Sequence, residues 1–155
     1  MMMKLSYDVI HCLNGKTLVT AESCTGGGIG AALTSVPGSS AVYKGGIISY
    51  TNAVKENILG INPELLATVG AVSSQVAEAM ADGARNALHA DVAVSVTGLA
   101  GPDGDDYGNA VGTVYIGYCD ANRCVSQCCH FDGDRDAVRR QAVIAALSLV
   151  LEFNQ

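Results

Sequence analysis

The feature that most restricts the fold of this chain is an alternation. Short β-branched runs at Thr17–Ala21, Gly46–Thr51 and Asp91–Thr97 each break off into a stretch rich in glycine, serine or threonine, and helical patterns lie between them. Strands that alternate with helices imply crossover connections and a largely parallel sheet with helices on both faces. Apolar spacing predicts helices over Leu5–Leu13, Ile29–Ser35, Asn52–Leu59 and Ser73 to about Ala90. Another runs over Pro63–Val69, with Asn62 as N-cap and proline at the first helical position. Gly112–Cys119 and Arg123–Phe131 read as a hairpin through Asp120-Ala121-Asn122, which requires at least one antiparallel strand. Asp134 caps a last helix that reaches about Phe153. The expected fold is α/β. It is a three-layer α/β/α sandwich whose mixed, mainly parallel sheet contains one antiparallel strand, with residues 1–155 as one domain.

Composition bounds the function. Of 155 residues, 49% are hydrophobic and 15% charged, enough apolar material for a core. Charge is scarcer than the usual ~25%. Part of the surface is then expected to be covered in a homo-oligomer, most simply a dimer. The net charge of −6, with no basic cluster beyond Arg139-Arg140, argues against nucleic acid as a partner. Neither Val92–Val96 nor Ala142–Leu151 approaches the ~18–20 apolar residues of a membrane span, so no membrane partner is expected. The N-terminal residues lack a long apolar segment, which predicts a cytoplasmic protein. Its six cysteines are then expected to be reduced thiols. If Val125–Phe131 is a strand, only Cys128 and His130 of Cys128-Cys129-His130 share a face, which leaves a metal site short of ligands.

In open α/β sheets ligands sit beyond the carboxyl ends of the strands. Three stretches fall there. The first is Glu22–Gly28, a strand-to-helix turn whose free backbone N–H groups can hold a phosphate or an oxyanion, with Ser23 as a candidate nucleophile. The same pattern also fits Ser23 or Thr25 as an ordinary N-cap. The second is Ser49–Lys55. A serine nucleophile needs a base, and lysine can serve where burial lowers its pKa. Lys55 is the candidate, with Tyr50 able to relay or position the proton; a solvated surface lysine fits the spacing as well. The third, Thr97–Pro102, can form a backbone nest or a plain tight turn. Farther on, Arg135 falls in the first turn of the last helix, where the dipole disfavours a cation. Its placement there suggests either an anionic partner or a surface ion pair.

Several segments resemble, in order, the CinA C-terminal domain family. They are Ala21-Glu22-Ser23-Cys24-Thr25-Gly26-Gly27, Val36-Pro37-Gly38-Ser39-Ser40, Lys44–Lys55, Gly70-Ala71-Val72-Ser73, Val96–Pro102, and Gly133-Asp134-Arg135 through Arg140-Gln141-Ala142. Members are nicotinamide-nucleotide amidohydrolases, also called NMN deamidases, and the length resembles the stand-alone form. The resemblance implies hydrolysis of the carboxamide of nicotinamide mononucleotide, the small-molecule partner, in pyridine nucleotide salvage. No cofactor or metal is implied for that step. It implies Ser23 as nucleophile, Lys55 as general base and Tyr50 as proton relay. Thr25, Gly26, Gly27, Thr97, Gly98, Ala100 and Gly101 would shape the substrate site, and Arg135 with Arg139 would meet the 5′-phosphate. Asp103–Gly112 departs from the family pattern, with extra acids and no Pro-Glu-Lys-Pro. An amidase for another small carboxamide and a non-catalytic nucleotide-binding or regulatory domain are the alternative readings.

Overall fold

The computed structural model describes all residues 1–155. Its elements are α1 (Met2–Cys12), β1 (Leu18–Glu22), α2 (Gly28–Thr34), β2 (Tyr43–Ile48), α3 (Asn52–Asn57), α4 (Pro63–Val69), α5 (Ser74–Leu88), β3 (Val92–Gly98), β4 (Thr113–Cys119), β5 (Cys124–His130) and α6 (Arg135–Asn154). The five strands form one sheet in the order β2-β1-β3-β4-β5. β2, β1 and β3 are mutually parallel, and β4 runs antiparallel to both β3 and β5. β4 is therefore the single reversed strand, as the hairpin in the sequence requires.

Alternation along the strands feeds two cores. Leu18, Val92, Val94, Val96, Val114, Ile116 and Tyr118 face α1, α2 and α6. Val19, Ala21, Ala93 and Cys119 face the opposite way, against Val76, Met80, Ala81 and Ala84 of α5 and Leu66 of α4. Helices cover both faces, and every residue of β3 but the last is buried. The three-layer sandwich is the architecture observed. On the α5 side the approach is close: a Cβ on Gly117 of β4 would overlap the Ala77 carbonyl.

Caps fall where the residue types put them. Asn62 accepts from the Glu64 N–H at 2.8 Å, and Asp134 accepts from the Ala137 N–H at 2.9 Å. β2 departs from its expected span of Gly46–Thr51. The strand is set by its pairing with β1, which begins at Tyr43 and ends at Ile48. Ser49 to Thr51 peel away instead, and Thr51 becomes the N-cap of α3. A short 3₁₀ turn at Ser39–Ala41, absent from the sequence reading, leads into β2. The expectation of six reduced thiols is corrected at one pair. Cys119 and Cys124 stand opposite each other where the hairpin turns, with Cα atoms 4.1 Å apart and their sulfurs bonded. Cys12, Cys24, Cys128 and Cys129 are free.

Candidate active site

Parallel register brings the three strand ends side by side. Glu22 pairs with Ile48 on one side and Val96 on the other, so Ser23 emerges between Ser49 and Thr97. A cleft of about 300 Å³ opens there. Ser23 and Cys24 come to it from the first loop, Tyr50, Asn52 and Lys55 from the second, and Thr97 to Gly101 from the third. Ala71, Val72, Asp103 and Arg135 complete its walls.

The turn after β1 is held from behind. Glu22 is buried, and its carboxylate accepts from the Thr25 hydroxyl at 2.7 Å, the Ile29 N–H at 2.8 Å and the Gly30 N–H at 3.0 Å. Glu22 thereby takes orphan amides at the start of α2. Neither Ser23 nor Thr25 caps that helix; its N-cap is Gly27, at φ 104° with no side-chain bond. Gly26 also sits at positive φ, 57°, which lets the chain turn this sharply. The N–H groups of Cys24, Thr25 and Gly27 donate to no protein acceptor. Arg139 donates to the Cys24 carbonyl at 3.0 Å and the Thr25 carbonyl at 3.2 Å. In a trans peptide the N–H points opposite its carbonyl, so the Thr25 N–H is aimed away from Arg139.

Ser23 is 8% exposed and its own N–H donates to the Val96 carbonyl at 2.9 Å. Its hydroxyl is free of capping duty and meets Lys55. The Lys55 ammonium, 1% exposed, donates to Ser23 Oγ at 3.1 Å and to the Ser49 carbonyl at 2.7 Å. No carboxylate pairs with it; the ion pairs of the molecule are Lys4–Asp8 and Arg123–Asp120, both far along the chain. Burial without a counter-ion pulls Lys55 from 10.5 down to about 8. Burial pushes the neighbouring Cys24 thiol up to about 11, so it stays neutral. A buried amine that can shed its proton, 3.1 Å from a serine hydroxyl, is an arrangement in which an amine could take the hydroxyl's proton.

Tyr50 and Arg135 lie at the mouth. Arg135 donates to the Gly101 carbonyl at 2.6 Å and to the Tyr50 hydroxyl at 3.1 Å, bridging two walls. The Tyr50 hydroxyl bonds to Arg135 and not to Ser23 or Lys55. Thr97, Gly98, Ala100 and Gly101 line the cleft, and the Thr97 hydroxyl donates to the Ala71 carbonyl at 2.8 Å. Thr25, Gly26 and Gly27 form the turn behind Ser23 and lie outside the cleft lining. Arg139 also lies outside it, committed to the turn, in a recess with Met2 and Asp136.

Sequence reasoning did not single out Glu22, Asn52, Ala71, Val72 or Asp103. Ala71 and Val72 stand in a segment that carried the family resemblance, but nothing in their chemistry marks them. The divergent Asp103–Gly112 loop is tied to that wall. Tyr107 donates to the Ala67 carbonyl at 3.0 Å, and the Asn109 side-chain amide to the Val72 carbonyl at 3.1 Å. Asp105 turns into its own loop, accepting from the Tyr107 and Asn109 N–H groups, so Asp103 is the acid that faces the cleft. Cys128 and His130 share a face of β5, with Sγ and Nε2 3.7 Å apart. No group of three or more His, Cys, Asp or Glu side chains converges in the molecule.

The family whose pattern matches is the CinA C-terminal domain, over residues 4–154. A nicotinamide-nucleotide amidohydrolase, PncC, from Pseudomonas putida is 53% identical over 88% of this chain and 85% of its own length. A CinA-like protein from Geobacter sp. (strain M21) is 49% identical over 90% of this chain, which spans 34% of that longer relative. Among solved structures, the competence/damage inducible protein CihA from Agrobacterium tumefaciens superposes with a TM-score of 0.95 at 39% identity, covering 99% of this chain and 96% of that one. A CinA superfamily protein from Klebsiella pneumoniae gives 0.95 at 34% identity, covering 98% and 96%.

Proposed function

The chain belongs to the CinA C-terminal domain family, and we propose that it hydrolyses the carboxamide of nicotinamide mononucleotide to nicotinate mononucleotide and ammonia. The observation that carries this reading is the buried Lys55–Ser23 pair on the floor of the cleft.

The chemistry follows from the pair. Free Lys55 amine takes the Ser23 proton as Oγ bonds to the carboxamide carbon, and the carbonyl electrons move to oxygen. That oxyanion is met by the unpaired N–H groups of Cys24 and Thr25. Collapse of the tetrahedral species breaks the carbon–nitrogen bond, and Lys55 delivers its proton to the departing nitrogen, which leaves as ammonia. Water, deprotonated by the same amine, then cleaves the acyl ester and restores Ser23. The base form of Lys55 gains population as pH rises through about 8, so kcat/KM climbs across that range.

Arg135 serves the 5′-phosphate, since its fork is held at the mouth by a carbonyl and a phenol hydroxyl and by no carboxylate, partners that a dianion outcompetes. Displacing Tyr50 from Arg135 frees its phenol for a part in proton transfer. Arg139 acts behind the turn, holding the two carbonyls. The deciding experiment is mass-spectrometric detection of deamidated product from nicotinamide mononucleotide, nicotinamide riboside and nicotinamide. The mononucleotide is expected to be the preferred substrate. No product from any of the three would overturn the assignment, and equal rates for all three would overturn the role of Arg135.

A further inference from the structure

One buried side-chain polar atom in the molecule has no partner: the hydroxyl of Ser49. Ser49 is 0% exposed and lies where β2 leaves the sheet. Its main chain is paired on both sides, the carbonyl with Lys55 of the dyad. The N–H donates to the Glu22 carbonyl at 2.8 Å, next to Ser23, and the carbonyl accepts from Lys55 Nζ at 2.7 Å. A buried hydroxyl left unpaired destabilises the fold. Its presence one residue before Tyr50, on the group that holds Lys55, calls for a use.

Lys55 supplies the complement. A protonated lysine has three N–H donors, and here two have acceptors: Ser23 Oγ and the Ser49 carbonyl. The third has no protein acceptor, on a residue that is 1% exposed. The unpaired donor and the unpaired acceptor therefore belong to two residues already in contact. The groups around them leave no competitor. The Cys24 thiol is neutral. Tyr50 and Arg135 are engaged with each other at the mouth, and Asp103 stands on the far loop without an ion pair to Lys55.

We infer that Ser49 is a positioning residue for Lys55: on rotation about its Cα–Cβ bond its hydroxyl receives the third N–H of the ammonium that forms when Ser23 gives up its proton. No bond is made or broken at Ser49; it turns to meet the Lys55 charge, which the resting enzyme carries below about pH 8 and which forms again when Ser23 gives up its proton. The inference rests on the Ser23–Lys55 reading above.

The test is Ser49→Ala, read in three ways. A charge-assisted hydrogen bond shifts an equilibrium by roughly 10- to 100-fold, so kcat is expected to fall by about that factor. The hydroxyl favours the charged form of Lys55. Its removal therefore moves the acid limb of kcat/KM to lower pH, and a ¹⁵N titration of Lys55 Nζ, which needs no substrate, moves the same way. Above about pH 8, where Lys55 is the free amine and an orphan group is being deleted, Tm is expected to stay level or rise. Ser49→Thr, which keeps the hydroxyl, should restore the wild-type titration. An unchanged Lys55 titration, or a loss of activity that tracks a fall in Tm with the acid limb in place, would overturn the inference. A wild type that titrates as expected but releases no ammonia would instead sink the deamidase reading and leave this one standing.

Discussion

At the scale of the residue, Lys55 carries the largest conflict in the molecule. Its fall from 10.5 to about 8 corresponds to about 3 kcal/mol against the charged form. The sign is fixed by linkage. The unfolded chain binds the proton up to about 10.5 and the folded chain only to about 8, so this residue costs stability below about 8 and the cost fades as pH rises towards 10.5. Lys55→Met should therefore abolish amide hydrolysis while stabilising the protein at pH 7. Loss of the bond to the Ser49 carbonyl offsets part of the gain, leaving a net ~1–2 kcal/mol, a few degrees in Tm. Thermal unfolding at pH 7 and pH 10 checks this: the advantage should shrink at the higher pH, and a less stable variant at pH 7 would contradict it. Ser23 and Lys55 were both legible in the sequence as a serine in a glycine turn and a lysine in a first helical turn. Their 3.1 Å contact was not, because burial and pairing are properties of the folded site. The Tyr50 hydroxyl bond to Arg135 was equally out of reach, joining residues 85 positions apart.

At the scale of the element, the turn between β1 and α2 is the part that sequence read least well. Spacing put Ser23 or Thr25 at the head of the helix because small hydroxyl residues usually cap. Glu22 does that work from the last position of β1, reaching the Ile29 and Gly30 amides. Glu22→Ala would leave those donors and the Thr25 hydroxyl unpaired in a buried place. A loss of about 2–4 kcal/mol is expected, read as a lower midpoint of urea unfolding with the slope unchanged. Ammonia release should fall with it, since the amides of Cys24 and Thr25 lose their setting. A Glu22→Ala protein as stable as wild type would contradict this account of the turn. Elsewhere periodicity served well: α4 and β4 fall within a residue of their expected spans. β2 slipped because Tyr43-Lys44-Gly45-Gly46 is a poor strand sequence, made into one by pairing with β1.

At the scale of the whole molecule, the site exists only because the fold gathers it. Ser23, Lys55, the Thr97–Gly101 loop and Arg135 are scattered over more than a hundred residues and meet at the carboxyl ends of the parallel strands. The alternation of strands and helices announced that end of the sheet, and three loops rich in small polar residues marked which strands would converge there. What the alternation could not convey was depth. Lys55 lies on the floor, Arg135 stands at the mouth and Arg139 sits behind the turn, although the two arginines are four residues apart on one helix. The central claim is that this assembly makes Ser23 a nucleophile. It is tested most directly by ammonia release from nicotinamide mononucleotide by wild type and Ser23→Ala, with circular dichroism confirming that the variant is folded. Release is predicted from the wild type and none above background from the folded variant; undiminished release from Ser23→Ala would contradict the claim.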